Sequence, residues 1–392
     1  MNPAAEYDVV VYGSTGFTGR LVVEYMVSQY PAGSGVSWAM AGRSADKLAA
    51  IRDEMGAPAD TPLIVADASN PDSIEAMAKS AKCVLTTVGP YTLYGEPLVA
   101  ACAAAGTDYV DLSGEVLWMK EMIEKHSEAA KASGARIVHS CGFDSIPFDL
   151  GVQHLQEEAV KRFGAPLERV RGRMRKMQGT FSGGTAASGA ATMAAVQKDP
   201  SLFPHLLNPF SLSEGFAGPD QPAGNKVMEE DGIWLAPFVM APINTKNVHR
   251  SNALLGHAYG ENFVYDEMMV GGPGEQGKAI ADAVAGMVSS GMGGDDAPKP
   301  GEGPSKEERE AGFYDYAAIG TAADGTMLTA VVTGDKDPGY GSTSKIIAEA
   351  AVCLVKECAD LPGGIYTPAA AMGAKLRERL VANAGLTFDV EG

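Results

Sequence analysis

The sequence predicts an α/β protein in which a doubly wound parallel sheet is followed by a second, α+β domain containing a mixed sheet. Three observations carry this. From Asp8 to about Cys141, short β-branched runs alternate with longer helical stretches. A glycine-rich turn follows the first of those runs and opens the first helix. After Gly151 the alternation stops, and longer strand-like stretches with faces of different polarity replace it.

Taken in order, the strand candidates are Val9–Tyr12, Val36–Ala41, Leu63–Ala66, Val84–Val88, Tyr109–Leu112 and Arg136–Ser140. Helical periodicity falls at Thr18–Gln29, Ala45–Met55, Asp72–Ser80, Pro97–Ala104 and Leu117–Ala132, with Asn70-Pro71 as a cap and first-turn proline. Six parallel strands covered on both faces make a Rossmann-type sheet. Later strands are expected at Glu168–Gln178, Phe313–Thr321 and Met327–Thr333. Ser211–Gly224 reads as loop, and Gly291–Ser305, rich in Gly, Pro and Asp, as an exposed mobile loop. A helix over Thr367–Ala384 follows Leu361-Pro362-Gly363-Gly364 and is expected to pack back on the first domain. The chain of 392 residues exceeds what one core supports. It divides into a nucleotide-binding domain over 1–150, a substrate and dimerisation domain over 151–362, and a returning C-terminal helix in 363–392.

Composition narrows the partners. A formal net charge of -18, from 31 Lys and Arg against 49 Asp and Glu, argues against nucleic acid. The five cysteines form no CxxC pair and have no histidine at zinc spacing, so no disulfide framework or metal site is expected. Tyr7–Tyr12 lacks the basic segment and long apolar run of a signal peptide, so the protein is expected to be cytoplasmic. The apolar window Ala186–Val196 is too short to span a bilayer, which leaves peripheral lipid contact open.

Gly13-Ser14-Thr15-Gly16-Phe17-Thr18-Gly19 supplies a GxxGxxG turn between strand and helix. Its glycines admit a tight turn and a close pyrophosphate, and the helix N-terminus presents unpaired N–H groups to the anion. The second strand ends in Ala41-Gly42-Arg43-Ser44, where an NAD enzyme would place an acid for the ribose 2′-hydroxyl. Arg43 and Ser44 suit a 2′-phosphate, so NADP(H) is the expected cofactor, and Lys47 lies one turn further on.

Asp67 and Ala68, ending the third strand, are expected near the adenine, with a helix cap as the alternative for Asp67. Val88-Gly89-Pro90-Tyr91 follows the fourth strand toward ribose and nicotinamide. Tyr91 serves either as a donor to substrate or as packing. Cys141 and Gly142 are expected to border the cofactor, and Asp144-Ser145 before Pro147 to start a helix.

Tyr12–Gly19, Ala41-Gly42-Arg43, Thr87–Tyr91, Tyr109-Val110-Asp111-Leu112-Ser113-Gly114-Glu115 and Cys141–Pro147 together resemble the saccharopine dehydrogenase-like oxidoreductases. Ser182–Thr185, Asp337-Pro338-Gly339-Tyr340-Gly341 and Gly363–Pro368 extend the resemblance over nearly the whole chain. Within that family the chain is most similar to the bacterial branch containing the trans-acting enoyl reductases. This implies an NADP-type cofactor and reduction of a carbon–carbon double bond in an acyl chain built by a polyketide synthase. The true saccharopine dehydrogenases instead reduce an imine joining two amino acids. Such a substrate needs arginines for its carboxylates, and the later region has few beyond Arg169, Arg171, Arg173 and Arg175. A thioester or lipid-like substrate fits better.

An enoyl thioester gathers charge on its carbonyl oxygen during reduction, so the chemistry calls for a donor. Tyr91, Ser113 and Tyr340 are the catalytic candidates, beside backbone N–H groups. Asp111, Ser113 and Glu115 read equally as a polar turn capping a helix, His139 as a core histidine, and Tyr340 as a packed turn aromatic. Ser182-Gly183-Gly184-Thr185 offers helix N–H groups to an anion or simply caps. Arg169, Arg171, Arg173 and Arg175 share one strand face, which is either solvated or meets an acyl carrier protein. A homodimer is expected. The competing class is a non-catalytic NADP-binding sensor or scaffold.

Overall fold

The computed structural model describes residues 5–179, 183–290 and 303–391. The chain begins with β1 (Tyr7–Tyr12), α1 (Phe17–Gln29), β2 (Trp38–Gly42), α2 (Ala45–Glu54), β3 (Leu63–Val65), α3 (Pro71–Ser80) and β4 (Ala81–Thr86). It continues through α4 (Tyr91–Tyr94), α5 (Glu96–Ala105), β5 (Asp108–Val110), α6 (Val116–Ser133), β6 (Arg136–Val138) and α7 (Ile146–Phe163). The second region holds β7 (Arg169–Gln178), α8 (Gly183–Lys198), α9 (Phe203–Leu207), β8 (Met228–Glu230), β9 (Ile233–Pro237) and α10 (Ala241–Leu254). Then come β10 (Val264–Pro273), α11 (Gly274–Ser290), α12 (Lys306–Ala311), β11 (Phe313–Thr321) and β12 (Met327–Gly334). The chain closes with α13 (Thr343–Glu357), β13 (Gly364–Tyr366), α14 (Pro368–Ala371), α15 (Gly373–Asn383) and β14 (Leu386–Glu391).

The first sheet is parallel throughout, in the order β13-β6-β5-β4-β1-β2-β3, so its strands share one carboxyl edge. Val9, Val10 and Val11 are fully buried, as a strand covered on both faces requires. The second sheet runs β14-β12-β11-β7-β10-β9-β8, with β7 and β10 parallel and its other neighbours antiparallel. Its inner face rests on α7, where a Cβ at Gly151 would stand 3.0 Å from Val332 and 3.1 Å from Tyr316.

Three features depart from the expected organisation. The parallel sheet has a seventh strand, β13, which is three residues long and flanked by glycine, too short for period or composition to reveal it. The helix α13 lies within the segment 151–362 expected to form the second domain, yet it covers β1, β4 and β5 of the first sheet and packs on α1. The expected helix Thr367–Ala384 is two helices, α14 and α15, broken where Gly373 has φ +47, and the chain then returns to the second sheet as β14. Gly303–Ser305, the described end of the expected mobile loop, lies near the first-domain glycine turn: a Cβ at Gly303 would fall 2.4 Å from the Phe17 ring.

Buried polar groups fasten these returns. Glu349 of α13 is fully buried and accepts from Tyr25 Oη at 2.7 Å, Tyr30 Oη at 2.5 Å, Arg379 Nε at 2.9 Å and Asn383 Nδ2 at 3.1 Å. Arg136 of β6 gives Nε to Asp108 Oδ1 of β5 at 2.9 Å and pairs with the other carboxylate oxygen, both side chains being 1 % exposed. A charged pair this desolvated holds only while both members remain.

Candidate active site

The turn after β1 is shaped by contacts that leave no room for side chains. Gly13 has φ +95, and a Cβ on Gly19 would lie 2.0 Å from the Gly13 carbonyl oxygen. That approach seats the start of α1 on the turn. Among the described residues, the amides of Phe17, Thr18 and Gly19 have no backbone acceptor, and Gly16 provides no side-chain cap. The result is a set of bare N–H groups at the positive end of a helix, which fits the pyrophosphate of a dinucleotide. Ser14 contributes backbone only, because its hydroxyl is buried and donates to Val11 O at 2.7 Å. Thr15 O accepts from Arg20 Nε at 3.4 Å. Val88 closes the far side, its Cγ2 standing 2.9 Å from a Cβ at Gly13.

At the end of β2, Arg43 is exposed and makes no hydrogen bond or ion pair among the described residues, and no carboxylate occupies the end of this strand. Ser44 caps α2, accepting from Lys47 N at 3.4 Å. Asp67 lies at the same sheet edge with Ala68 next to it, and it is not the cap of α3. That role belongs to Asn70, whose Oδ1 accepts from Ser73 N at 3.3 Å. Hydrogen bonds from Ser69, with Arg43 adding its charge, hold the Asp67 carboxyl below its ordinary value.

The Tyr91 hydroxyl is engaged in the fold. It donates to Thr86 O at 3.2 Å and accepts from Leu112 N at 3.0 Å in a packed interior, so Tyr91 ties the end of β4 to the turn after β5. Ser113 is likewise occupied, its Oγ donating to Asp111 Oδ1 at 2.7 Å. The Asp111 carboxylate also accepts from Tyr109 Oη at 2.9 Å and Ser140 N at 2.8 Å, and faces His139 Nδ1 at 2.7 Å. Burial pushes its acidity the other way, yet His139 and Ser113 hold the Asp111 carboxyl below the usual range. Glu115 caps α4 across space, accepting from Tyr91 N and Thr92 N at 2.8 Å each, and ties in α8 through Ser188 Oγ at 2.8 Å.

Cys141 is buried with its amide on Asp111 O at 2.7 Å. A Cβ at Gly142 would stand 2.9 Å from Leu112 and 3.2 Å from Thr343, so this turn joins β6 to α13 by close packing. All five cysteines are free and buried, and among the described residues no three metal-ligating side chains converge.

Between the domains lies a cleft. Phe143 and Asp144 line it from the first domain, Met177 and Gly179 from β7, Phe238–Met240 from the segment before α10, and Pro338–Tyr340 from the turn before α13. Tyr340 is buried and set edge-on against Phe17 of the glycine turn, ring centres 5.1 Å apart, which places the cleft beside the nucleotide cradle. Asp337 fixes the turn, accepting from Tyr340 N at 3.0 Å and Gly341 N at 2.7 Å. Ser182 lies outside the described residues, and α8 begins at Gly183.

The arginine face of β7 is neutralised. Arg169 and Arg173 pair with Asp266, Arg171 with Glu230 and Asp231, and Arg175 with Asp315 and Glu391. Each arginine of the stripe thus already faces a carboxylate of the protein itself.

Sequence reasoning missed two groups. Asp144 is hidden in the sequence because it stands one residue before a helix cap, and only the tertiary arrangement opens it to the cleft. Glu267 of β10 is fully buried, bonded by Tyr265 Oη at 2.6 Å and Asn244 Nδ2 at 2.9 Å, and burial pushes its carboxyl up to about 8. No sequence motif marks it.

A dinucleotide cradle on a parallel sheet, opening onto a cleft closed by a second mixed sheet, defines a nicotinamide-dependent oxidoreductase. The saccharopine dehydrogenase NADP-binding domain family matches residues 9–138. A trans-acting enoyl reductase of Mycobacterium bovis is 40% identical over 410 residues, covering 97% of each chain. One from Mycobacterium ulcerans is 38% identical over 403 residues, covering 96% of each. The chain belongs to the trans-acting enoyl reductase family. Two solved structures share the fold alone. Saccharopine dehydrogenase (L-Glu forming) from Saccharomyces cerevisiae has a TM-score of 0.56 at 12% identity, covering 98% of this chain and 99% of that one. Homospermidine synthase from Legionella pneumophila has a TM-score of 0.54 at 8% identity, covering 98% and 91%. Among the described residues, no helix is long and apolar enough to cross a membrane.

Proposed function

We propose that the protein uses NADPH, in preference to NADH, to reduce the carbon–carbon double bond of an acyl thioester brought to it by a separate synthase. The observation that carries this reading is the junction of cradle and cleft: Tyr340 touches Phe17, so a substrate in the cleft would meet the nicotinamide end of a dinucleotide on the turn. The cleft walls favour an acyl group. Phe143, Met177, Phe238, Val239 and Met240 are apolar, and the β7 arginines that a dicarboxylic imine would need are paired with protein carboxylates. Preference for NADPH rests on Arg43, exposed and without a hydrogen bond or ion pair among the described residues. A charge-assisted contact to a 2′-phosphate is worth about 1.5–3 kcal/mol.

The test is oxidation of NADPH by the purified protein with a trans-2-enoyl thioester, run alongside Arg43→Ala. Turnover is expected with the wild type. The variant should bind NADPH roughly ten- to a hundred-fold more weakly and NADH unchanged. Tight NADPH binding without turnover on enoyl thioesters would refute the enzymatic reading. Equal losses for both nucleotides would refute the role of Arg43.

A further inference from the structure

We propose that Asp144 is the acid that protonates the α carbon of the substrate, an assignment that rests on the double-bond reduction above. Asp144 follows β6 at the carboxyl edge of the parallel sheet, where ligands of such sheets sit, and it lines the cleft together with Tyr340. Its backbone is clamped on both sides. The amide of Phe143 donates to Thr343 Oγ1 at 3.0 Å, while Ser145 Oγ donates to Asn244 Oδ1 at 3.2 Å and accepts from Asn247 Nδ2 at 2.8 Å. The Asp144 carboxyl itself makes no hydrogen bond or ion pair among the described residues. The side chains of Tyr91, Asp111, Ser113 and Glu115 are all engaged in structural bonds. A carboxyl with no structural partner among the described residues, carried on a clamped turn that lines an apolar cleft, suits delivery of a proton.

Its acidity suits the task. Burial pushes the carboxyl up to about 6, so part of the population carries a proton near neutral pH. Bound NADPH supplies the hydride that the β carbon gains. The π pair of the double bond then lies on the α carbon and carbonyl oxygen as an enolate. The O–H bond of Asp144 breaks, the new Cα–H bond forms, and the carboxylate left behind regains a proton from water. The substrate has gained one hydride and one proton.

Asp144→Asn keeps the shape, and with no partner bonds to lose among the described residues the variant is expected to fold. Calorimetry should show binding of NADPH and of a saturated acyl thioester within about twofold of wild type, which locates any defect after binding. With an enoyl thioester in heavy water, the wild type should place deuterium on one face of the α carbon. Asp144→Asn should turn over about a hundred-fold more slowly or worse. Its product should carry deuterium on both faces, because solvent then protonates the enolate. A variant that keeps the wild-type rate and facial selectivity would overturn the assignment while leaving the reductase reading intact. A wild type that binds NADPH yet reduces no enoyl thioester would overturn both.

Discussion

Replacing Glu267 with glutamine should change how the stability of the protein depends on pH. Glu267 is sealed between Tyr265, Asn244 and the Gly172 backbone, where a Cβ would stand 2.8 Å from its Cγ, and burial lifts its carboxyl from 4.5 to about 8. Below 4.5 both folded and unfolded chains hold the proton and the group is neutral in the balance. Between 4.5 and about 8 the unfolded chain releases it while the folded chain keeps it, so stability falls with rising pH, then levels off. At 1.36 kcal/mol per pH unit, this interval amounts to about 5 kcal/mol. Glutamine is neutral throughout, can donate to Tyr265 and accept from Asn244, and removes that loss. Urea unfolding of wild type and Glu267→Gln at pH 5, 6.5 and 8 tests this (assay conditions chosen to span the interval). The variant should gain on the wild type by about 1 kcal/mol or more per pH unit. Parallel curves would mean that Glu267 ionises in the fold as it does in water, and the account of its burial would be wrong.

Other perturbations test the cradle and the returns. Gly19→Ala forces a Cβ against the Gly13 carbonyl 2.0 Å away, so the turn must open, and calorimetry should register no binding heat with NADPH while thermal unfolding shows a folded protein. Retained affinity would show that the turn tolerates displacement. Arg136→Met strands Asp108 as a buried unpaired carboxylate, at a cost of about 3–5 kcal/mol in urea unfolding. Adding Asp108→Asn to that variant should restore most of the loss, and failure to do so would locate the cost in packing.

The architecture was legible where the chain repeats a local rule. The first six strands and the helices α1, α2, α3, α5 and α6 follow from β-branched runs, caps and the proline at Pro71, and the turn after β1 from its glycine spacing. The place of Arg43, exposed at the end of β2, was legible because the end of a strand is itself a position in sequence. What stayed hidden depends on contacts across the chain. Tyr91 and Ser113 carry side chains suited to catalysis, but whether their hydroxyls are free is decided by Thr86, Leu112 and Asp111 in the folded protein. The β7 arginines form a genuine one-faced stripe, yet their partners Asp266, Glu230 and Asp315 come from three other strands. β13 is three residues beside glycine, and it exists as a strand only because β6 presents an open edge to it.

The C-terminal stretch threads both sheets, adding β13 to the edge of one and β14 to the edge of the other, with α13 roofing the first. A protein cut near residue 150 would leave β6 as an exposed edge and β1, β4 and β5 bare on one face, a form prone to pair with itself. The nucleotide-binding half gains its edge strand and its roof only from residues at the far end of the chain. Completion of the first sheet is thereby coupled to the last fifty residues or so, from Thr343 onward.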